Sequence, residues 1–252
     1  MDKKEVYRIL DDAYFGDNPH EKELLDNLGK LLPSKGIFLD VGASLGQFSR
    51  RAASLMAQGQ VIAIEADPLR FERLEKNFQE WSQEFPTISF KAIHAAVSDR
   101  SGRISFQTTN SNISGGLATP VHDRKETQGR KEAEWEVVEV PSLLIDDALD
   151  GACPDLVKMD IEGAEGVALK GATRLLNSGK PEFLIELHNF GSPDGISPIV
   201  ATHDIMRRHG YRAIDFHGKT VFGRHIWRRF PLKFLGQRIR LRIGSLINRA
   251  TQ

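Results

Sequence analysis

Of the 34 acidic residues in this 252-residue chain, none lies between Phe216 and Gln252, although nine of the 34 basic residues do. The net charge of zero therefore joins an acidic body to a basic C-terminal stretch. Cysteine is almost absent. Cys153 is the single one, which excludes an intramolecular disulfide and leaves the redox compartment unspecified. No apolar run approaches the ~18 residues of a membrane-spanning helix. Met1 to Glu5 is charged and offers no apolar signal segment, so a cytoplasmic setting is the expectation. The G-x-G-x-x-G spacing of dinucleotide sites is missing too, which counts against a nicotinamide-dependent oxidoreductase.

What is present is a regular succession of apolar strands and amphipathic helices. Leu24, Leu25, Leu28, Leu31 and Leu32 predict a helix from about Pro19 to Leu32. Gly36 to Val41 reads as a strand, followed by a glycine turn and a helix carrying Phe48, Ala52, Leu55 and Met56, with Gly59 as its stop. Val61 to Glu65 is the next strand, and Asp67-Pro68 supplies an N-cap and first turn for a helix with Phe71, Leu74, Phe78 and Trp81. Further strands are expected over Ile88–Val97, Ile104–Phe106, Val137–Val140, Pro154–Ile161, Glu182–His188 and Tyr211–Phe216. Helices are expected up to about Leu176 and over Ile199–His209. Alternation at this spacing predicts an α/β fold, a doubly wound, mostly parallel sheet covered by helices on both faces. The polar stretch from Thr108 to Glu134 reads as a long loop, a lid over the site or plain disorder.

Three groups of residues carry candidate chemistry. Gly42 and Gly46 allow a sharp turn and a close ligand approach after the first strand, with Asp40 at its end. Glu65, one βα unit later, can accept hydrogen bonds from ribose hydroxyls, and the alternative is a helix N-terminal anion. Asp99 either reaches a nucleobase amine or forms the Asp-Arg-Ser-Gly turn. Lys158 is costly in a buried strand unless paired. Asp160 and Glu162 share a side of an extended chain, and Glu186 and His188 alternate to one face at the end of the following strand. Glu162 and Glu165 also suit a helix N-terminus.

These stretches together resemble the FkbM-type S-adenosylmethionine-dependent methyltransferases. The resemblance rests on Phe38-Leu39-Asp40-Val41-Gly42-Ala43 with Gly46, Glu65-Ala66-Asp67-Pro68, Ala96-Val97-Ser98-Asp99, Val157 to Glu165, Leu169-Lys170-Gly171-Ala172 and Leu184 to His188. Leu45 departs from the pattern, where a small β-branched residue is more usual. It implies a Rossmann-like methyltransferase sheet, with S-adenosyl-L-methionine held by Asp40, Gly42, Ala43, Gly46, Glu65 and Asp99. It also implies O-methylation of a sugar, glycan or natural-product hydroxyl. His188 is the base by residue type, with Asp160 and Glu162 beside it. The same three residues could instead hold Mg²⁺, and the sequence leaves the two uses open. A non-catalytic S-adenosylmethionine-binding module is the remaining alternative.

The expected organisation is a helical segment at 1–35, a methyltransferase domain at 36–216 and a basic amphipathic tail at 217–252. Apolar residues such as Ile226, Trp227 and Phe230 interleave with the tail arginines. Such a stretch either lies on an anionic membrane surface at the inner face or packs on the acidic body. No nucleic-acid partner is expected, and the oligomeric state is not legible.

Overall fold

In the computed structural model, which describes residues 24–25, 28–109, 135–188, 197–214 and 225–229, ten strands and six α-helices follow Leu24, Leu25 and a 3-10 turn at Leu28–Lys30. The strands are β1 (Lys35–Val41), β2 (Gln58–Glu65), β3 (Ile88–His94), β4 (Ala96–Val97), β5 (Gly102–Thr109), β6 (Trp135–Leu143), β7 (Leu156–Met159), β8 (Glu182–Ile185), β9 (Tyr211–Ile214) and β10 (His225–Arg229). The helices are α1 (Gln47–Leu55), α2 (Pro68–Glu84), α3 (Ile145–Ala148), α4 (Glu165–Lys170), α5 (Thr173–Ser178) and α6 (Pro198–Arg208).

β1 lies mid-sheet because Phe38 to Val41 are buried on both faces, as a strand covered on both sides requires. It pairs in parallel with β2 and β7. The main sheet runs β3-β2-β1-β7-β8-β10-β9, with parallel pairing from β3 to β8 and β10 antiparallel to both its neighbours. Side chains alternate accordingly. Leu39, Val41, Val157 and Met159 enter one core with α3 to α5, whereas Phe38, Val61 and Leu156 enter the other with α1 and α2. A small second sheet, β4-β6-β5, stands beside the first.

The expected α/β architecture is therefore present, with several shorter elements. The strand expected over Ile88–Val97 breaks at Ala95, whose N–H goes to the Glu65 carbonyl at 3.0 Å, and Ala96 then pairs with β6 in the other sheet. The two stretches expected at Ile104–Phe106 and Val137–Val140 do pair antiparallel. α1 stops at Leu55, and Gly59 already belongs to β2. The single helix expected up to Leu176 is interrupted at Gly171, where a side chain would come within 2.2 Å of the Ser98 carbonyl oxygen. β7 and β8 end at Met159 and Ile185, so Asp160, Glu186 and His188 lie beyond the ladders. β9 covers Tyr211–Ile214, and the last two residues expected of it, 215 and 216, lie outside the described residues. Residues 19–23 and 26–27 of the expected N-terminal helix, the 110–134 part of the long loop and the tail other than β10 lie outside the described residues.

The turn after β1 depends on Gly42. Its φ is +75°, and a Cβ there would sit 2.0 Å from the Asp160 carbonyl oxygen. Gly151 has a similar φ of +83° with nothing within 4 Å. Gly151→Ala should thus cost only the ~1 kcal/mol of a left-handed non-glycine residue. Gly42→Ala should cost clearly more, about 3 kcal/mol or above, because main chain must also move. Urea unfolding of the two variants checks the ranking, and equal losses would contradict it.

Candidate active site

The turn from Val41 into α1 is fastened from two sides. Gly42 and Ala43 both donate to the Ile64 carbonyl, at 2.9 and 3.1 Å, and Ser44 (φ +51°) donates its N–H to Glu65 Oε2 at 2.7 Å. The other Glu65 oxygen accepts from Asp67 N–H at 2.8 Å. Asp67 in turn caps α2 through Leu69 and Arg70 N–H and accepts from the Thr108 hydroxyl. Glu65 is buried. That burial pushes its carboxyl up from the usual range, against the pull of Arg70. It is thus a brace for the turn as well as an acid at a strand end, and a carboxylate has lone pairs left for a further donor. The Ser44 hydroxyl is buried with no hydrogen bond among the described residues, a polar atom that a bound ligand would satisfy.

Asp40 is wholly buried. Its Oδ2 accepts from the Ser49 hydroxyl at 2.7 Å and its Oδ1 stands 3.7 Å from Lys158 Nζ. Burial pushes this carboxyl up and Lys158 pulls it down. Asp40 orders the turn from beneath. Asp99 lies in the turn between β4 and β5, with Arg100 at 3.3 Å and the Ser98 hydroxyl at 3.4 Å. Asp40, Gly42, Ala43, Gly46 and Glu65 therefore converge on one turn, while Asp99 sits on a separate one.

The second group gathers where β7 and β8 end. Lys158, opposite Asp40 in the ladder, reaches the Gly42 carbonyl at 3.1 Å, Asp160 Oδ2 at 3.7 Å and the Phe48 ring at 5.1 Å. Beyond it the chain turns, with φ +55° at Glu162 and +101° at Gly163. Asp160 and Glu162 do not share the extended geometry expected of them, yet both face His188. Its Nε2 lies 3.8 Å from Asp160 Oδ1 and 3.6 Å from Glu162 Oε2. Its Nδ1 donates to Glu165 Oε1 at 3.3 Å, and that oxygen also accepts from Gly163 N–H at 3.1 Å.

Burial alone would lower the His188 pKa. The hydrogen bond to Glu165 and the charges of Glu162, Asp160 and Glu165 outweigh it and raise the value to about 9. Both imidazole nitrogens are therefore protonated at neutral pH in the free site. Burial likewise pushes Glu162 up, with His188 opposing it. Sequence reasoning missed Glu165, which reads as an ordinary first-turn acid. Its complete burial, which alone marks it out, is set by the packing of α4 and has no local signature.

A family model described as the methyltransferase FkbM domain matches residues 40–213. The chain is 27% identical over 154 residues to the 2-O-methyltransferase NoeI of Sinorhizobium fredii, covering 56% of this chain and 58% of that protein. It is 24% identical over 217 residues to the AMB antimetabolite synthetase AmbE of Pseudomonas aeruginosa, covering 75% of this chain and 10% of that one. It thus spans little more than half of one relative and a tenth of the other. A solved structure, the methyltransferase FkbM from Methylobacillus flagellatus KT, shares the fold with a TM-score of 0.51 at 21% identity. That match covers 79% of this chain and 44% of the other.

If Glu65 both braces the turn and faces the donor, Glu65→Ala should weaken binding of S-adenosylhomocysteine by about 1–3 kcal/mol, the range for a lost charged hydrogen bond. Calorimetry measures this directly. Undiminished affinity would restrict Glu65 to bracing.

Proposed function

Because the chain belongs to the FkbM methyltransferase family, we propose that it transfers a methyl group from S-adenosylmethionine to a hydroxyl oxygen of a sugar, glycan or natural-product acceptor. The observation that carries this reading is the contact between two sites. The glycine turn after β1 lies directly against the Asp160 backbone, and Asp160 brings Glu162 and His188 with it. A donor turn and an acid–imidazole cluster in contact are the two parts that in-line transfer to a hydroxyl requires.

The residues fit the donor. Gly42 to Gly46 form the turn, the Ser44 hydroxyl awaits a partner, and Glu65 offers carboxylate lone pairs at the neighbouring strand end. Bound S-adenosylmethionine supplies a methyl group already activated on a sulfonium, so the protein's work falls on the acceptor. A hydroxyl is a poor nucleophile until its proton is drawn away. Protonated His188 is placed to orient the cluster, and a carboxylate oxygen of Asp160 or Glu162 to accept that proton. The side chains are 24%, 26% and 18% exposed, which leaves them open to an acceptor on one side. The name of the rhizobial relative, a 2-O-methyltransferase, supports oxygen as the methylated atom. A nicotinamide enzyme would need a different glycine spacing, and a catalytically silent module would not need the cluster.

Incubation with labelled S-adenosylmethionine and hydroxylated glycans or natural products should yield an alkali-stable methyl ether. His188→Ala should lower turnover by on the order of 10²-fold or more, the usual contribution of a proton-transfer step, here one that loses the group orienting its carboxylates, while donor affinity stays within about twofold. Full activity in that variant would remove the cluster from the reaction, and alkali-labile or nitrogen-linked methylation would refute the hydroxyl acceptor.

A further inference from the structure

We propose that Asp160, Glu162 and His188 bind one divalent, oxygen-preferring cation of the Mg²⁺ or Mn²⁺ kind, at the acceptor end of the site. The inference rests on the functional reading above only for what the cation would do there. One ligand atom from each of the three residues lies within 4.8 Å of the others. His188 Nε2 stands 3.6 Å from Glu162 Oε2 and 3.8 Å from Asp160 Oδ1. Both distances exceed a hydrogen bond. They match the roughly 3–4 Å that separates neighbouring ligands around a cation held at about 2.0–2.6 Å.

The imidazole is set for this role by its other nitrogen. Glu165 Oε1 holds Nδ1 at 3.3 Å, which directs Nε2 to the two carboxylates, the carboxylate–histidine pairing that orients metal-bound imidazoles. Glu165 is itself wholly buried, and its Oε2 makes no hydrogen bond among the described residues. A buried carboxylate at the back of two others is an expensive concentration of negative charge. Lys158 meets Asp160 from the turn side, at Oδ2, and Oδ1 faces His188. The two carboxylates suit hard ions such as Mg²⁺ and Mn²⁺, and the imidazole inclines the set toward Mn²⁺ of the two. The open side leaves room for water or an acceptor hydroxyl to complete the shell.

The test uses the full chain after treatment with a chelator. Mn²⁺ is titrated in and followed by calorimetry and by the spin-resonance signal of the free ion, with S-adenosylhomocysteine affinity measured on the same samples. One saturable Mn²⁺ per chain is expected, competed by Mg²⁺. Asp160→Asn and Glu162→Gln should each weaken it by at least about tenfold, and Glu162→Gln, away from the donor turn, without changing S-adenosylhomocysteine binding. Absent binding, or binding unaltered in both variants, overturns the proposal. Thermal unfolding checks each variant, and if Asp160→Asn fails to fold, the partly exposed Glu162 decides alone. S-adenosylhomocysteine binding without Mn²⁺ binding would refute the cation and leave the methyltransferase reading intact. The reverse would refute the donor site and leave the cation.

Discussion

Burying an ammonium between two central strands costs several kcal/mol unless opposite charge and hydrogen bonds surround it. Lys158 is buried in that way, with Asp40 across the ladder, Asp160 two residues on, the Gly42 carbonyl above and the Phe48 ring alongside. Each partner is constrained in turn. Asp40 is wholly buried, and Lys158 and the Ser49 hydroxyl pull against the desolvation that pushes its carboxyl up. The glycine turn is held at its carbonyl, and Asp160 is held at one carboxylate oxygen so that the other meets His188. Removing the ammonium would leave two acids and a carbonyl facing one another across the strands, which marks a buried network whose loss costs about 3–5 kcal/mol.

This tie lies where the sheet changes direction. From β1 the chain adds β2 and β3 on one side, and from β7 it adds β8 on the other, so the crevice at the reversal opens between β1 and β7. Asp40 and Lys158 are register partners across that pair of strands. Both halves of the candidate site therefore hang from one rung of the ladder. The donor turn leaves β1 just after Asp40, and the acid–imidazole cluster leaves β7 just after Lys158. Their proximity follows from topology rather than from a long-range loop.

The features legible in the sequence are those written in local pattern. The apolar run Phe38 to Val41, the glycines after it and the strand-terminal Glu65 identify the central strand, its turn and the neighbouring acid without tertiary information. Asp67-Pro68 identifies its cap the same way. The features not legible depend on partners distant in sequence. The break at Ala95 is made by a hydrogen bond to Glu65, thirty residues earlier, and the break at Gly171 by the Ser98 carbonyl, which leaves no space for a side chain. Continuous apolar pattern on either side gives no hint of these interruptions.

The cluster shows the same division one level up. Residue types and their place beyond strand ends mark Asp160, Glu162 and His188 as chemistry, but period-two spacing assigns the wrong geometry, since Glu162 turns through a left-handed conformation to reach His188. Glu165 is the more telling case. An acid in a first helical turn has an ordinary explanation in the helix dipole, and nothing in sequence separates it from a solvated one. Only folding buries it and sets its carboxylate against Nδ1. That contact fixes which imidazole nitrogen faces the open side, and so it converts three polar side chains into a site with a direction.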